Sequence, residues 1–120
     1  MKTILIIDDE YLIADILSFA LEDEGFAAIT AGSAVKALEI LERERPDLII
    51  TDFMMPAMTG IEFAESVKNR AHLTAIPIIL MSGAQAHLGL ERADLFARVV
   101  AKPFEIDGII SIVKSLVTLD

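Results

Sequence analysis

The chain has 120 residues, 54% of them hydrophobic, no cysteine, and a formal net charge of −9. That length fits one domain with a proper core, and the composition excludes disorder, disulfides and thiolate metal sites. The charge excludes direct nucleic-acid binding, which needs a basic patch, and no apolar run is long enough to span a membrane.

Thr3 to Ile7 is a short β-rich run that ends at Asp8-Asp9-Glu10. It lacks a basic region and a cleavage site, so it reads as a strand and not as a signal peptide. A helix follows, with Leu12, Ile13, Ile16, Leu17, Ala20 and Leu21 at helical spacing and Gly25 at its C′ position. Phe26 to Ala31 is a weak second strand, poor in β-branched residues. Ser33 caps a second helix carrying Val35, Leu38, Ile40 and Leu41, which must end before Pro46. The third strand, Leu48 to Thr51, delivers Asp52. Pro56 and Gly60 then force a turn, and Thr59 with Glu62 reads as a capping box for a helix from about Gly60 to Asn69.

Ile76 to Met81 is a fourth strand, ending at Ser82-Gly83. Ala84 to Ala93 has helical residues but an internal Gly89 and no clean stripe, so a short helix is expected. Ala97 to Ala101 is the fifth strand, ending at Lys102-Pro103. The last helix, from about Glu105 to Leu116, places Ile106, Ile109, Ile110 and Val113 on one face.

Continuous apolar strands that alternate with helices imply a parallel sheet covered on both faces. Right-handed crossovers bring every strand's carboxyl end to one rim. The expected fold is a single α/β domain over residues 1–120, a flavodoxin-like (βα)5 doubly wound sheet of order 2-1-3-4-5. Its cleft lies between the first and third strands.

That rim collects Asp8, Asp9, Asp52, Ser82 and Lys102. Each has an ordinary structural reading: the aspartates as caps or turn residues, Ser82 as a turn residue, Lys102 as a solvated lysine. Their coincidence on one rim argues for a site. Carboxylates gathered in one cleft repel each other and call for a cation. Oxygen-only ligands without Cys or His suit a hard ion, and Mg²⁺ fits a shallow site that keeps several waters. Such an ion screens Asp52 so that it can attack a phosphoryl group, with Lys102 and Ser82 holding the transferred oxygens.

Asp8-Asp9, the run Asp52-Phe53-Met54-Met55-Pro56 to Gly60, Ser82-Gly83-Ala84 and Lys102-Pro103-Phe104 resemble the receiver domain of two-component response regulators, in order and spacing over essentially the whole chain. The resemblance implies that Asp52 accepts phosphate from a phosphohistidine on a histidine kinase or phosphotransfer protein. It further implies that Asp9, Asp52 and the Met54 backbone carbonyl ligate Mg²⁺ directly, that Asp8 acts through water, and that the Lys102–Pro103 bond is cis. Function would then be a population shift: Ser82 moves inward and the surface of helix four, strand five and helix five changes its preference for a downstream protein or an attached output domain. The resemblance also implies a cytoplasmic protein that promotes its own phosphorylation and slow dephosphorylation without multiple turnover on outside substrates. One position departs from the pattern. Three residues before Lys102 the family usually carries an aromatic, and this chain has Val99. The phosphorylation chemistry is expected to survive that change, and the response on the strand-five face to be muted or rerouted.

Other readings make different predictions. A small-molecule phosphohydrolase usually carries its acids as Asp-x-Asp and needs a lid, whereas here the acids are adjacent and the chain is short. A degenerate receiver used only as a protein-interaction module finds support in Val99 and is opposed by the complete acid set. A flavin-binding relative is opposed by the acidic rim, which would repel the cofactor phosphate. His72 and His87 are isolated and read as surface residues, and no glycine-rich nucleotide loop is present.

Overall fold

Five strands and five α-helices alternate along the chain in a computed structural model that describes residues 1–83 and 86–118. The strands are β1 (Thr3–Ile7), β2 (Ala27–Ala31), β3 (Leu48–Asp52), β4 (Ile78–Ser82) and β5 (Arg98–Ala101). The helices are α1 (Tyr11–Asp23), α2 (Ala34–Leu41), α3 (Gly60–Lys68), α4 (Ala86–Leu90) and α5 (Ile106–Leu116), with a 3-10 turn at Ala71–Leu73. All strands pair in parallel, in the order β2-β1-β3-β4-β5. This is the doubly wound order that the alternation of elements predicts.

The period of a strand explains why its residues read as unbroken apolar runs. Successive side chains point to opposite faces, and both faces here are covered by helices. Leu5, Ile7, Ile49, Ile78 and Leu80 face the α2–α3 layer, where they meet Ala34, Ala37, Leu41, Phe63 and Val67. Ile4, Ile6, Leu48, Ile50, Ile79 and Met81 face α1 and α5, where they meet Ala14, Leu17, Leu21, Ile109 and Val113. The edge strands β2 and β5 are only half covered.

Local chemistry sets the helix ends. Gly25 takes φ 96°, and the Gly25 and Phe26 N–H groups donate to the Glu22 and Leu21 carbonyls, a Schellman stop for α1. The Ser33 hydroxyl accepts from the Lys36 N–H at 3.1 Å. The Thr59–Glu62 capping box is present in full.

Several boundaries differ from the sequence expectation: β3 runs through Asp52, β5 starts at Arg98, and α3 and α5 are each one residue shorter, ending at Lys68 and starting at Ile106. β2 starts at Ala27 because Phe26 belongs to the α1 stop and is buried with α1 and α5. β4 starts at Ile78, after Pro77, which has no N–H to give the ladder. It also runs on through Ser82, whose carbonyl accepts from the Lys102 N–H at 2.8 Å. α4 is shorter than the stretch Ala84 to Ala93. Its described part spans Ala86–Leu90, and Ala84 and Gln85 lie outside the described residues.

Candidate functional site

Strand register determines which side chains meet. β1 and β3 pair as far as Ile7 with Thr51, so one further step puts Asp8 beside Asp52 at the carboxyl rim. On the other side Asp52 pairs with Met81, and the next residue of β4, Ser82, pairs with Ala101, the residue before Lys102. Residues from position 8 to position 102 are thereby drawn to one end of the sheet.

Burial singles out the same set. The polar or charged residues that are buried among those described are Asp8, Thr51, Asp52 and Ser82, with exposures of 1%, 0%, 6% and 0%. Thr51 satisfies its hydroxyl locally on the Asp52 carbonyl at 3.0 Å. The others converge on the rim. A buried carboxylate costs free energy unless it is paired, and the structure supplies two kinds of partner. Backbone N–H groups are the first: Glu10 donates to Asp8 Oδ1 and Phe53 to Asp52 Oδ1, each at 2.9 Å. The second is Lys102, whose Nζ lies 3.1 Å from Asp52 Oδ1 and 3.5 Å from Asp8 Oδ2.

One ammonium does not neutralise the cluster. Burial above all raises the carboxyl pKa of both Asp8 and Asp52, and each feels a neighbouring acid besides, Asp52 in the first case and Asp9 in the second. Burial alone would lower Lys102, but Asp52, Asp8 and Glu10 together outweigh it and hold the ammonium above its ordinary value. Asp8, Asp9 and Asp52 each present a carboxylate oxygen within 4.8 Å of the others. Asp8 Oδ2 and Ser82 Oγ are buried without a hydrogen-bond partner among the described residues. A hard-oxygen donor set with an unsatisfied buried acceptor fits a Mg²⁺ ion, and a buried hydroxyl with nothing to donate to fits an incoming anionic oxygen.

The predicted residues therefore divide as follows. Asp8, Asp9, Asp52 and Lys102 come together, with Asp9 the exposed member. Ser82 ends β4 on the same rim, and Met54, 59% exposed, sits in the loop after β3. The Lys102–Pro103 bond is cis. Val99 is half-buried on β5, opposite Leu80.

Two further residues belong to the site and carry only faint sequence signals. Glu10 brings its carboxylate to 3.9 Å from Lys102, and only its place after the aspartate pair hints at this. Gly60 reads in sequence as a turn residue, but its role is close approach. A β-carbon there would stand 2.6 Å from the Asp52 carbonyl oxygen, and the Gly60 N–H closes the loop on the Phe53 carbonyl at 2.8 Å. Between them Ala57 adopts φ 70°.

Beside the rim lies a groove of about 540 Å³ lined by Ile13, Ile16, Lys102, Pro103, Phe104 and Ile106. The adjoining face of α1 leaves Leu12, Ile16 and Phe19 at 77%, 51% and 65% exposure, a continuous apolar stripe at helical spacing. No helix among the described residues is long and apolar enough to cross a membrane.

Comparison with known proteins gives a consistent result. The sequence family described as response regulator receiver domain matches residues 4–114. Sporulation initiation phosphotransferase F of Bacillus subtilis is 35% identical over 119 residues, covering 98% of this chain and 95% of that protein. The probable transcriptional regulatory protein TcrX of Mycobacterium tuberculosis is 32% identical over 117 residues, covering 95% of this chain but 49% of its own length. The chain thus spans about half the length, or less, of several curated relatives that it matches. The response regulator TrrA of Thermotoga maritima, solved in complex with Mg²⁺ and BeF, superposes with a TM-score of 0.85 at 31% identity, covering 98% of this chain and 100% of that one.

Proposed function

We propose that this chain, which belongs to the response regulator receiver domain family, is a phosphoacceptor switch spanning residues 1–120 that takes a phosphoryl group on Asp52 from a phosphohistidine of a partner kinase or phosphotransfer protein. The observation that carries this reading is the Lys102 ammonium at 3.1 Å from Asp52 and 3.5 Å from Asp8, inside a cluster of three carboxylates.

In the transfer an Asp52 carboxylate oxygen forms a bond to phosphorus as the donor's N–P bond breaks. The imidazole leaves with the electron pair and takes up a proton from water. Asp8, Asp9, Asp52 and the Met54 carbonyl are the groups that would hold Mg²⁺, and a bound ion would screen the acceptor and the phosphoryl oxygens. The chain's own residues do the rest. The Phe53 N–H fixes the Asp52 carboxylate. Lys102 moves its contact from the free carboxylate to a phosphoryl oxygen. Ser82 Oγ, buried and without a partner among the described residues, donates to another, drawing the end of β4 inward. That movement would change how α4, β5 and α5 meet a downstream protein or an attached output domain. Protein-level turnover is limited to self-phosphorylation and slow hydrolysis of the acyl phosphate, in a cytoplasmic setting.

The phosphodonor is expected to dock on the groove beside Lys102. α1 offers an apolar stripe there, and from residue 3 to residue 35 the chain has no Lys or Arg but seven acids. The complementary surface is apolar with a basic rim. The deciding experiment is intact mass after incubation with Mg²⁺ and acetyl phosphate. One added phosphoryl group is expected on the native chain and none on Asp52→Ala. A native chain that never gains mass would favour a phosphorylation-independent interaction module.

A further inference from the structure

Leu80 lies in the middle of β4 with no exposure at all, paired with Thr51 of β3 on one side and Val99 of β5 on the other. Its two methyl groups are pressed against two bare stretches of backbone. A β-carbon on Gly60 would stand 2.9 Å from Leu80 Cδ1, and one on Gly89 would stand 2.4 Å from Leu80 Cδ2. Gly60 opens α3 and is packed on the Asp52 carbonyl. Gly89 lies in α4, and its missing β-carbon would also come within 3.1 Å of Val99 Cγ2. A line of direct contacts therefore runs from the backbone of Asp52 through Gly60, Leu80 and Gly89 to Val99.

We infer that Leu80 is a coupling residue, beside the Ser82 movement, through which a change at Asp52 reaches α4. The inference rests on the phosphoacceptor reading and adds a route by which the signal leaves the site. Close-packed interiors transmit displacement because there is no free volume to absorb it. At both glycines the neighbour of Leu80 is backbone, so the side chain that has to yield is that of Leu80 itself. If the loop from Phe53 to Gly60 shifts when Asp52 is modified, Leu80 must move or tilt, and Gly89 with α4 must follow. The route needs no large side chain at position 99. Val99 acts only as the far wall against which Gly89 is held. Contact alone does not prove energetic coupling, so the test has to read both the site and α4.

The experiment is amide NMR of the full chain with and without Mg²⁺ and beryllofluoride. Phe53, whose N–H donates to Asp52, reports binding, while Gly89 and Leu90 report arrival at α4. In the native chain all three resonances are expected to move. In Leu80→Ala, and in the milder Leu80→Val should the first fold poorly, Phe53 is expected to move to its full extent while the Gly89 and Leu90 shifts fall at least twofold. Undiminished shifts at Gly89 and Leu90 in a folded variant overturn the inference, as does a native chain in which Phe53 moves and Gly89 does not. If Phe53 itself stays still in the native chain, the acceptor reading fails, and the inference falls with it.

Discussion

Gly60 and Asp52 touch backbone to backbone: the space where a side chain on residue 60 would begin is already held by the Asp52 carbonyl oxygen, 2.6 Å away. Gly60→Ala must therefore push α3 off the end of β3 or tilt the acceptor strand. The expected loss is about 2–3 kcal/mol, in the range of strained or overpacked positions, read as a lower urea midpoint. Acetyl phosphate labelling of Asp52 should slow in the same variant. An unchanged midpoint would mean that the loop from Phe53 to Gly60 is softer than its contacts indicate.

Ala57 has the opposite expectation. Its φ of 70° lies in the left-handed region, where a β-carbon meets the following carbonyl. Ala57→Gly relieves that strain and loses part of the gain through a freer unfolded chain. A net stabilisation of about 0.5 kcal/mol is expected in chemical denaturation, with labelling unaffected. Net destabilisation would argue that the Ala57 methyl makes contacts that outweigh its backbone cost.

The acid cluster makes stability depend on pH and magnesium together. Asp8 and Asp52 have pKa values raised first of all by burial, so in this region the folded chain holds protons that the unfolded chain has released. By linkage their contribution to stability is complete below the ordinary carboxylate range and is lost as pH rises through the folded-state values. At neutral pH without metal, Asp8→Asn should therefore melt higher than the native chain, by about 4 °C if the relief is near 1 kcal/mol. The advantage should shrink as pH falls through the raised folded-state values and be gone below the ordinary carboxylate range. Mg²⁺ should raise the melting temperature of the native chain far more than that of the variant. Equal magnesium responses in the two proteins would remove Asp8 from the metal site.

The stripe on α1 separates docking from chemistry. Ile16→Ser removes an apolar contact between the groove and the exposed face without touching the acids or Lys102. Transfer from a cognate phosphohistidine protein should fall about tenfold, the equivalent of about 1.4 kcal/mol of binding, while labelling by acetyl phosphate stays as it was. A parallel loss with the small donor would show that the substitution disturbs the site itself.

How far the sequence reveals all this depends on what each residue does. Apolar periodicity is enough for the alternation of strands and helices, because a buried parallel strand and an amphipathic helix leave different spacings, and the strand order follows from the usual doubly wound arrangement of five such units. The rim residues were legible because topology alone carries Asp8, Asp52 and Lys102 to one end. The start of β4 is hard to place because an apolar Ile76 before a proline looks like strand, although the proline cannot join the ladder and the strand begins at Ile78. Glycines were the least legible. Gly60 and Gly89 look like turn and breaker residues in a string of letters. Their function is to let two backbones approach Leu80, a property of three-dimensional neighbours that no local window contains.

The order of the strands in space has a consequence for the making of the protein. All three acids are present once the ribosome has passed Asp52, yet the lysine that offsets them arrives only after β5, the outermost strand on its side of the sheet. A half-synthesised chain thus carries the acids of β1 and β3 without the lysine that later faces them. Pairing of β5 with β4 is what brings Lys102 to Asp8 and Asp52, so the charge balance of the rim and the completion of the sheet arrive in the same event.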